Sequence, residues 1–325
     1  MSSLSVDSSK KLICIGHTTL DTFLTIDNAE VYCDINKLDC KVCFGFGSKI
    51  PVKDVYYGVG GGAANVSVGA RKLGINASIY TVLGSDTKGE DIKSSLKSHE
   101  VDIKKIEHDN NPTDQSVIVS YKHDRTIFTY SYPRKHSLTG LSSTNIFLSS
   151  VGDDVRTLYR DIKKIKKKYP YARLFFNPGS RELKNCRKEI AGILKYVDYL
   201  VANIEEGCQI LNSSLKPDQI DIEDLMELLV EKGIKNVVLT AGKAGAYAKD
   251  SKKSYKVSAV KSEFVEKTGA GDAFASGFIA SILYEHDIGA GLKWGALNSS
   301  AVITKIGAQN GLLSKTEIEN RIKKI

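Results

Sequence analysis

The 325-residue sequence lacks any apolar segment long enough to cross a membrane. Residues 1–10 are polar and rich in serine, and they lack the apolar stretch that a secretory signal needs. We therefore expect a cytoplasmic protein with no membrane partner. Residues 1–10 are predicted to be a disordered tail. The remaining residues, 11–325, are long enough and apolar enough to bury the core of one large domain.

The sequence also lacks the features of a nucleic-acid-binding protein, although its formal net charge is +8. Lys and Arg are dispersed, and the single dense run at residues 163–168 has the spacing of a solvated helix face. There is no basic stripe interleaved with aromatic residues and no familiar binding module. We therefore expect no nucleic-acid partner. The mild positive charge would suit an anionic substrate.

Cysteine is scarce, with six residues in the chain. Because no export signal is recognised, we expect all six to be free thiols in a reducing compartment. Cys40 and Cys43 have the spacing of metal ligands, but no second ligand pair follows nearby. Ordinary thiols are therefore expected there rather than a zinc site.

Apolar runs alternate with amphipathic stretches over most of the sequence, without internal repeats. The apolar runs predict strands at 12–16, 77–83, 174–177, 199–202 and 236–240. Helical periodicity predicts helices at 63–73, 89–98, 155–168, 188–196 and 222–232. Short apolar strands that alternate with helices indicate a parallel sheet covered on both faces.

Two stretches break this alternation. Asp21–Tyr57 is rich in alternating and β-branched residues, and Ser116–Ser131 has the pattern of a β-hairpin around a polar turn. We predict that segments of about 21–57 and 113–132 form one small β-lobe inserted into the α/β domain. A lobe hinged to a body is a common means of excluding water from an active site.

The strongest local signal is Thr268-Gly-Ala-Gly-Asp272, which precedes an apolar helix pattern rich in small residues. Glycines let successive backbone N–H groups turn inward at a helix start, where the helix dipole also attracts an anion. Such a cup stabilises the charge that spreads over a moving phosphoryl group. Asp272, at its edge, could accept the proton of an attacking hydroxyl. Alternatively, Asp272 only caps the helix and the glycines only allow close packing.

A second glycine-rich segment, Gly58–Asn65, also opens a helical pattern. It contains G-x-G-x-x-A, but a dinucleotide-binding turn would directly follow the first strand of its unit, and here that strand lies far upstream. Three glycines have no side chains, so a substrate could lie directly against their backbone. The Asn65 side chain could then act as hydrogen-bond donor and acceptor for that substrate. The sequence contains no G-x-x-x-x-G-K-[ST], which excludes the P-loop kinases.

Three further segments follow predicted strands. Asp21 could bind two sugar hydroxyls, or it is a turn residue. Glu206, in Asn203-Ile-Glu-Glu206, could hold Mg²⁺ through water, or it is an acid favoured by the helix dipole. Thr240–Gly245 could shape a nucleotide-contacting turn or a simple hairpin. Because all these segments converge on one sheet edge, we predict a cleft there for a nucleotide and an acceptor.

These motifs resemble those of the ribokinase-like, or PfkB-type, carbohydrate kinases. Val265–Phe278 (VEKTGAGDAFASGF) resembles the C-terminal signature of that family, and Gly60–Gly74 resembles the N-terminal one. Asn203–Glu206 matches its Asn-x-x-Glu motif, and Thr240–Gly245 matches its Thr-x-Gly-x-x-Gly turn. The order and spacing of all four agree, and the resemblance runs from about Lys11 to the C-terminus.

The resemblance implies a three-layer α/β/α core around a mostly parallel sheet, with a small β-sheet lid. It implies transfer of the γ-phosphoryl group of ATP to a hydroxyl, with Mg²⁺ as cofactor and Asp272 as catalytic base. The implied anion hole consists of Gly269, Ala270 and Gly271. The residues implied at the acceptor are Asp21, Gly61, Gly62 and Asn65, and Glu206 is implied at Mg²⁺. The residues implied on the nucleotide side are Asn203, Thr240, Gly242, Gly245 and Asn298.

The sequence departs from the family pattern just before Thr268. Family members usually have Asp-Thr where this chain has Glu266-Lys267, and that Asp often helps to form a monovalent-cation site. A role for K⁺ therefore stays open, and we expect activation by K⁺ to be weak or absent.

The sequence leaves the acceptor open. A sugar is the first expectation, and a nucleoside or a sugar phosphate are the alternatives. Aromatic residues of the predicted lid could enclose a nucleoside base, although alternating aromatics also serve as simple hairpin pairs; they are Phe23, Tyr121, Phe128, Tyr130 and Tyr132. Basic residues that could bind a phosphate are Lys53, Lys122, Arg125, Arg134 and Arg181.

Two further alternatives concern assembly and activity. The lid sheet could pair with a second copy of the chain to form a homodimer. A catalytically silent, ligand-binding regulator could also be built on this fold, but the intact Asp272 and its glycines argue for an enzyme.

Overall fold

The computed structural model describes residues 7–33, 40–122, 124–141, 145–211 and 217–324. Within these ranges no helix is both long and apolar enough to cross a lipid bilayer. The predicted tail falls partly outside the description, because residues 1–6 are not covered. Residues 7–10 belong to a strand rather than a tail, since Asp7 pairs with Ile75 and Lys11 pairs with Asn76.

Strands and helices alternate over most of the chain. The strands of the described residues are β1 (Asp7–Ile15), β2 (Thr19–Ile26), β3 (Glu30–Cys33), β4 (Cys40–Cys43), β5 (Asp54–Gly60), β6 (Ile75–Gly84), β7 (Asp102–Asp109), β8 (Gln115–Tyr121), β9 (Asp124–Tyr130), β10 (Asn145–Leu148), β11 (Leu174–Phe176), β12 (Tyr199–Asn203), β13 (Asn236–Thr240), β14 (Ala246–Lys249) and β15 (Ser254–Val257). The α-helices are α1 (Gly62–Lys72), α2 (Thr87–Ser98), α3 (Arg156–Lys168), α4 (Ser180–Asn185), α5 (Arg187–Ile193), α6 (Ile204–Ile210), α7 (Ile222–Glu231), α8 (Ala270–Leu283), α9 (Ile288–Val302) and α10 (Lys315–Ile322).

The central sheet has nine strands in the order β15-β14-β13-β12-β11-β10-β1-β6-β7. Neighbours from β13 to β7 pair in parallel, and the two edge pairs that involve β14 are antiparallel. Strands such as Leu174–Phe176 are apolar at every position and fully buried. This composition follows from the coverage of both faces of a parallel sheet by helices.

Helices cover both faces of this sheet. One buried cluster joins the sheet to α1, α2, α8, α9 and α10, with Phe278 and Leu292 among its members. A second cluster joins the opposite face to α3, α4, α5, α6 and α7, with Tyr159 and Met226 among its members. The predicted three-layer α/β/α core with a mostly parallel sheet is therefore confirmed.

A separate sheet of four strands has the order β5-β2-β8-β9. Strand β2 pairs antiparallel with β5 and parallel with β8, and β8 and β9 form the predicted hairpin. The sheet draws on both segments that were predicted as insertions. We call this four-stranded sheet the lid sheet.

A disulfide bond corrects the prediction that all cysteines are free thiols. Strands β3 and β4 form an exposed antiparallel pair that brings Cys33 directly opposite Cys40, and the two are bonded. The free cysteines of the described residues are Cys14, Cys43, Cys186 and Cys208. The prediction of free thiols is therefore wrong for Cys33 and Cys40.

Candidate active site

The start of α8 is built around a glycine that no other residue could replace without strain. Gly269 precedes the helix with φ of +81°, and an added Cβ would lie 2.5 Å from Cβ of Ala308. Ala270 and Gly271 follow as the first helical residues, and Asp272 is the acid of the first turn. The Ala270 N–H makes only a long bond, 3.3 Å, to the Lys267 carbonyl. The arrangement presents backbone N–H groups of a helix start beside a carboxylate.

The start of α1 faces the start of α8. Gly61 precedes α1 with φ of +89°, and an added Cβ would lie 2.4 Å from the His17 carbonyl oxygen. A Cβ on Gly62 would lie 3.4 Å from Oδ1 of Asp272. Asn65, in the first turn of α1, donates from Nδ2 to Oδ2 of Asp272 at 2.8 Å. The structure thus brings these three residues and the predicted base together.

Asp21 lies close to this site, in the segment predicted as lid. It follows the first core strand, as expected, and is the third residue of β2 in the lid sheet. The chain leaves the core after β1 and begins the lid sheet at Thr19, so Asp21 pairs with Gly58 of β5. Its carboxylate occupies the space beside Gly60, where an added Cβ would lie 1.9 Å from Oδ2.

The two carboxylates at the site are both electrostatically perturbed. Burial raises the pKa of Asp272, while the Asn65 hydrogen bond and His17 lower it and Asp21 raises it. Burial also raises the pKa of Asp21, against hydrogen bonds from Thr19 and Ser116 that lower it. The Asn65 donor therefore favours the ionised form of Asp272, which is the form that can accept a proton.

Glu206 is the third residue of α6 and forms a capping box with Asn203. The Asn203 N–H donates to Glu206 Oε2 at 2.9 Å, and the Glu206 N–H donates to the Asn203 side chain at 2.8 Å. Burial raises the pKa of Glu206 to about 7; the Asn203 N–H lowers it, and the charges of Asp272 and Glu205 raise it further. The described residues contain no cluster of three or more His, Cys, Asp or Glu that could hold a metal ion.

A cavity of about 170 Å³ lies beside the start of α8. Most of the expected nucleotide-side residues line it, and Gly245 is required there, because an added Cβ would lie 2.0 Å from the Val257 carbonyl oxygen. The lining is largely apolar or glycine, which suits the face of a purine and its ribose. It consists of Thr240, Gly242, Gly245, Ala246, Ala259, Val260, Ala270, Gly271, Phe274, Ala296, Ser299, Ser300 and Ile303.

Two residues expected on the nucleotide side do not line this cavity. Asn298 is fully buried, where it donates to the Ala273 carbonyl and Ser276 and accepts from the Leu313 N–H. Its side chain therefore joins α8, α9 and the following loop, because an amide in that position can satisfy three neighbours. Asn203 is the N-cap of α6.

A second cavity, of about 320 Å³, lies between the lid sheet and the carboxyl ends of the core strands. Its lining is polar and aromatic, and it includes the Tyr130–Tyr132 pair, whose ring centroids are 5.9 Å apart. The residues of the lining are His17, Thr19, Asp114, Gln115, Ser116, Thr129, Tyr130, Ser131, Tyr132, Pro133, Ser150, Val151, Gly152, Asp153, Gly179, Ser180 and Arg181.

Of the five basic residues considered for a phosphate, Arg181 is the one in this lining. Its guanidinium donates to Ser131 Oγ at 2.6 Å and to Asp153 Oδ2 at 2.8 Å. Arg134 is buried against Asp109 and Asp114 instead. The Arg181 charge is therefore already paired with Asp153 within this lining.

Sequence reasoning missed three residues at the site. His17 lines the second cavity and its Nδ1 lies 2.9 Å from the Ser150 carbonyl oxygen. Glu182 is buried and binds the N–H groups of Val151 and Gly179, both in the lining of the same cavity. Gln309 contacts Asn65 from a loop after α9. None of the three belongs to a sequence motif, and each acts on its neighbours through long-range contacts that only the fold reveals.

The comparisons with known proteins agree on one family. The family profile described as "pfkB family carbohydrate kinase" matches residues 21–315. The chain is 26% identical over 324 residues to the nucleoside kinase of Methanocaldococcus jannaschii, with 97% of both chains covered. It is 23% identical over 263 residues to the ATP-dependent 6-phosphofructokinase of Thermoanaerobacterium thermosaccharolyticum, with 77% of this chain and 80% of that protein covered.

Solved structures show the same fold. The crystal structure of the M. jannaschii nucleoside kinase has a TM-score of 0.78, with 21% identity and coverage of 97% of this chain and 99% of that chain. The structure of Arabidopsis thaliana ribokinase complexed with ribose and ATP has a TM-score of 0.76, with 18% identity and coverage of 97% and 98%.

Proposed function

This chain belongs to the pfkB family of carbohydrate kinases, and from that premise we propose that it transfers the γ-phosphoryl group of ATP to a hydroxyl of an uncharged acceptor, in the first place a nucleoside. One observation carries the proposal. Asp272 directly follows Gly271, which lines one cavity, and a Cβ on Gly62 would lie 3.4 Å from its Oδ1. The preceding Gly61 packs against the carbonyl oxygen of His17, which lines the other cavity. A carboxylate between a nucleotide cavity and an acceptor cavity is what direct transfer between them needs.

In the proposed reaction, Asp272 is the general base. It accepts the proton of the acceptor hydroxyl while that oxygen bonds to the γ-phosphorus and the bond to the oxygen of ADP breaks. Asp21, Gly61, Gly62 and Asn65 hold the acceptor so that its hydroxyl faces Asp272. The buried position of Asp21 supports bidentate binding of two hydroxyls rather than contact with bulk water.

The start of α8 is the proposed anion hole. The backbone N–H groups of Gly269, Ala270 and Gly271 would face the phosphoryl oxygens, and the helix dipole adds to their attraction. The positive φ of Gly269 supports this assignment, since it turns the preceding loop so that the first turn of α8 stays open to the cavity. On the nucleotide side we propose Thr240, Gly242 and Gly245.

The donor set fits Mg²⁺ bound mainly through phosphate oxygens and water. Mg²⁺ commonly uses one or two carboxylates and keeps several waters. Glu206 supplies one carboxylate, and the charge of Asp272 raises the pKa of that carboxylate. Its Oε2 accepts a hydrogen bond from the Asn203 N–H. When bound, the ion would neutralise charge on the phosphates.

The preference for a nucleoside rests on the second cavity. Tyr130 and Tyr132 offer aromatic surface for a base. Arg181 is already paired with Asp153, so it offers little attraction to an acceptor that carries a phosphate. A free sugar is the second candidate, because it would use the same hydroxyl contacts at Asp21 and Asn65 and leave the tyrosines unfilled.

The residues before the anion hole support activity without K⁺. Glu266 accepts from the Thr268 N–H at 2.9 Å and from the Thr268 hydroxyl at 2.6 Å, and its Oε1 lies 3.5 Å from Nε of Arg125 in the lid sheet. Lys267 forms a second ion pair with Asp124, at 2.6 Å. These contacts all fall on Oε1, and Oε2 is buried without a hydrogen bond. The proposal of activity without K⁺ therefore rests on the charge of Arg125, which already neutralises the carboxylate.

The outer face of the lid sheet supports a homodimer. Tyr57, Thr22, Val117 and Phe128 pair in one row across the four strands, and Tyr57 and Phe128 are 67% and 57% exposed. An exposed apolar sheet face is a typical protein contact surface. Sedimentation of the wild type should give a dimer mass, and Phe128→Lys should give a monomer; a monomeric wild type would refute the dimer.

The test of the function is ADP release from ATP and Mg²⁺ across panels of nucleosides, free sugars and sugar phosphates. We expect turnover with nucleosides that falls by about 10²–10⁴-fold in Asp272→Asn, the usual worth of a general base. Binding of ATP to this variant should persist. Turnover that survives in Asp272→Asn would remove the base from this mechanism, and turnover confined to sugar phosphates would refute the neutral acceptor.

A further inference from the structure

Gln309 lies in the loop between α9 and α10 and has no place in the mechanism above. It is half-buried, and its Nε2 donates to the Val59 carbonyl oxygen at 3.1 Å and to Asn65 Oδ1 at 3.0 Å. Asn65 in turn donates from Nδ2 to Asp272 Oδ2 at 2.8 Å. A chain of hydrogen bonds therefore runs from the last residues of β5 through two side-chain amides to the carboxylate.

The two ends of this chain fix the direction of every bond in it. The carbonyl of Val59 and the ionised carboxylate of Asp272 can only accept hydrogen bonds. The NH₂ of Gln309 must therefore face Val59, and the same group then donates to the Asn65 oxygen. If the Asn65 amide turned over, its NH₂ would face the NH₂ of Gln309, and its oxygen would face the carboxylate.

We propose that Gln309 is a positioning residue for phosphoryl transfer, which holds the Asn65 amide with its NH₂ toward Asp272. The inference rests on the proposed role of Asp272 as base. Gln309 touches neither substrate in this scheme, and it acts through Asn65.

The charges around Asp272 explain why this orientation matters. Burial and the carboxylate of Asp21 raise the pKa of Asp272, whereas the Asn65 donor and His17 lower it. Glu206 is the other carboxylate that interacts with it, from the start of α6. A turned amide would replace a donor by an acceptor, and Asp272 would then hold its proton to higher pH.

The loop that carries Gln309 is held against both helix starts. Ala308 packs so closely on Gly269 that no Cβ fits between them, and Gly307, with φ of +93°, leaves room for Tyr56 of β5. The loop therefore contacts the proposed anion hole with one residue and the partner of the base with the next. Its close packing gives the Gln309 amide a fixed position.

The test compares Gln309→Leu and Gln309→Glu with Asn310→Asp, a neighbouring amide that donates to the Ile306 carbonyl rather than to Asn65. The acidic limb of kcat/KM against pH should move to higher pH by about one unit in both Gln309 variants, as expected for the loss of one hydrogen bond to a carboxylate. At pH values below the limb, kcat/KM of these variants should be about tenfold lower than that of the wild type. At pH values above the limb, it should equal the wild-type value. The Asn310 variant should keep the wild-type limb.

Three results would overturn the proposal. A uniform loss of activity at all pH values, with the limb unmoved, would indicate a purely structural role. A shift in Gln309→Glu alone would indicate the added charge instead of the orientation of Asn65. An equal shift in Asn310→Asp would remove the specificity for Gln309.

A second readout separates this inference from the proposed function. The carboxyl of Asp272 can be titrated by NMR with ¹³C-labelled aspartate, assigned by the resonance that Asp272→Asn removes. This titration needs no acceptor and no turnover. A raised pKa of Asp272 in Gln309→Leu would support the positioning role even if every acceptor failed, and an unchanged pKa would refute it even in an active kinase.

Discussion

The helix starts at Gly61 in α1 and Gly269 in α8 share one backbone design and differ in charge. Each begins with a glycine at positive φ, and at each the neighbouring chain leaves no room for a Cβ. Neither has a side-chain cap. The first turn of α8 carries Asp272, whereas the first turn of α1 carries no acid.

Backbone geometry shapes the site at both helix starts, and side chains carry its chemistry. The two glycines allow the backbone conformation of the helix starts, so replacing either should lower the free energy of unfolding by a similar amount. The first-turn side chains determine the chemistry, with a neutral donor, Asn65, on α1 facing a carboxylate on α8. Three predictions test this division, and a fourth tests the residues just before the start of α8.

The largest expected effect is on stability, in Gly61→Ala and Gly269→Ala. Each alanine would adopt a disfavoured positive φ and place its Cβ within 2.4 Å or 2.5 Å of a neighbouring residue. We expect each variant to lose about 3 kcal/mol of unfolding free energy, measured by chemical denaturation. A loss below about 1 kcal/mol in one variant alone would show that the two starts are not equivalent.

The next effect is on the chemistry, in Asn65→Asp, which makes the start of α1 resemble that of α8. A second carboxylate beside Asp272 would raise the pKa of the pair, so activity would be lost as the pH falls through the higher value. The acidic limb of kcat/KM should move up by about one to two units. Asn65→Leu, which adds no charge, should move it less; an equal shift would exclude charge repulsion as the cause.

A smaller effect is expected in Gly271→Ala. An added Cβ there would meet nothing within 4 Å and would point into open space, unlike that on Gly269. Stability should change by less than about 0.5 kcal/mol. The methyl group would occupy part of the nucleotide cavity, and KM for ATP should rise by roughly tenfold. A destabilised protein with unchanged KM would reverse the roles assigned to Gly269 and Gly271.

The smallest effect concerns the monovalent cation. Replacement of K⁺ by Na⁺ at constant ionic strength should change kcat by less than about twofold, because Glu266 is 6% exposed and already paired with Arg125. Arg125→Gln removes that fixed charge and should make kcat respond to K⁺. Strong activation of the wild type by K⁺ would contradict the expectation.

Much of the core could be predicted from the sequence, because its strands and helices carry their own periodicity. The apolar run at 236–240 coincides with β13, and the helical pattern at 222–232 coincides with α7. Short elements were harder to predict. Strand β10 has only four residues and lies between polar segments. Helix α5 ends at Ile193, and the rest of the predicted helix is a 3₁₀ turn. The disulfide was missed because pairing of β3 with β4, which aligns Cys33 with Cys40, leaves no periodic signal.

Glycine-rich turns were predictable from the sequence, and the backbone requires glycine at Gly61, Gly245 and Gly269. The roles of these residues in binding stay predictions. Asp21 lies in the lid sheet, within the segment predicted as lid, but its pairing with Gly58 across β2 and β5 could not be predicted from the sequence. Asn298 illustrates a further limit. A polar residue in an apolar helix predicts that its side chain has a hydrogen-bond partner. Only the fold shows whether that partner is a bound ligand or, as here, the Leu313 N–H.

The parallel pairing of β2 with β8 has a consequence for the order of folding. Leu20 pairs with Gln115, and β5, α1, β6, α2 and β7 all lie between them in the chain. The entropy of closing so long a loop favours formation of the intervening core units first. Pulsed hydrogen exchange during refolding should protect amides of β6 before those of β8, and the reverse order would refute this. The lid sheet, which lines part of the second cavity, is then expected to form after the core units.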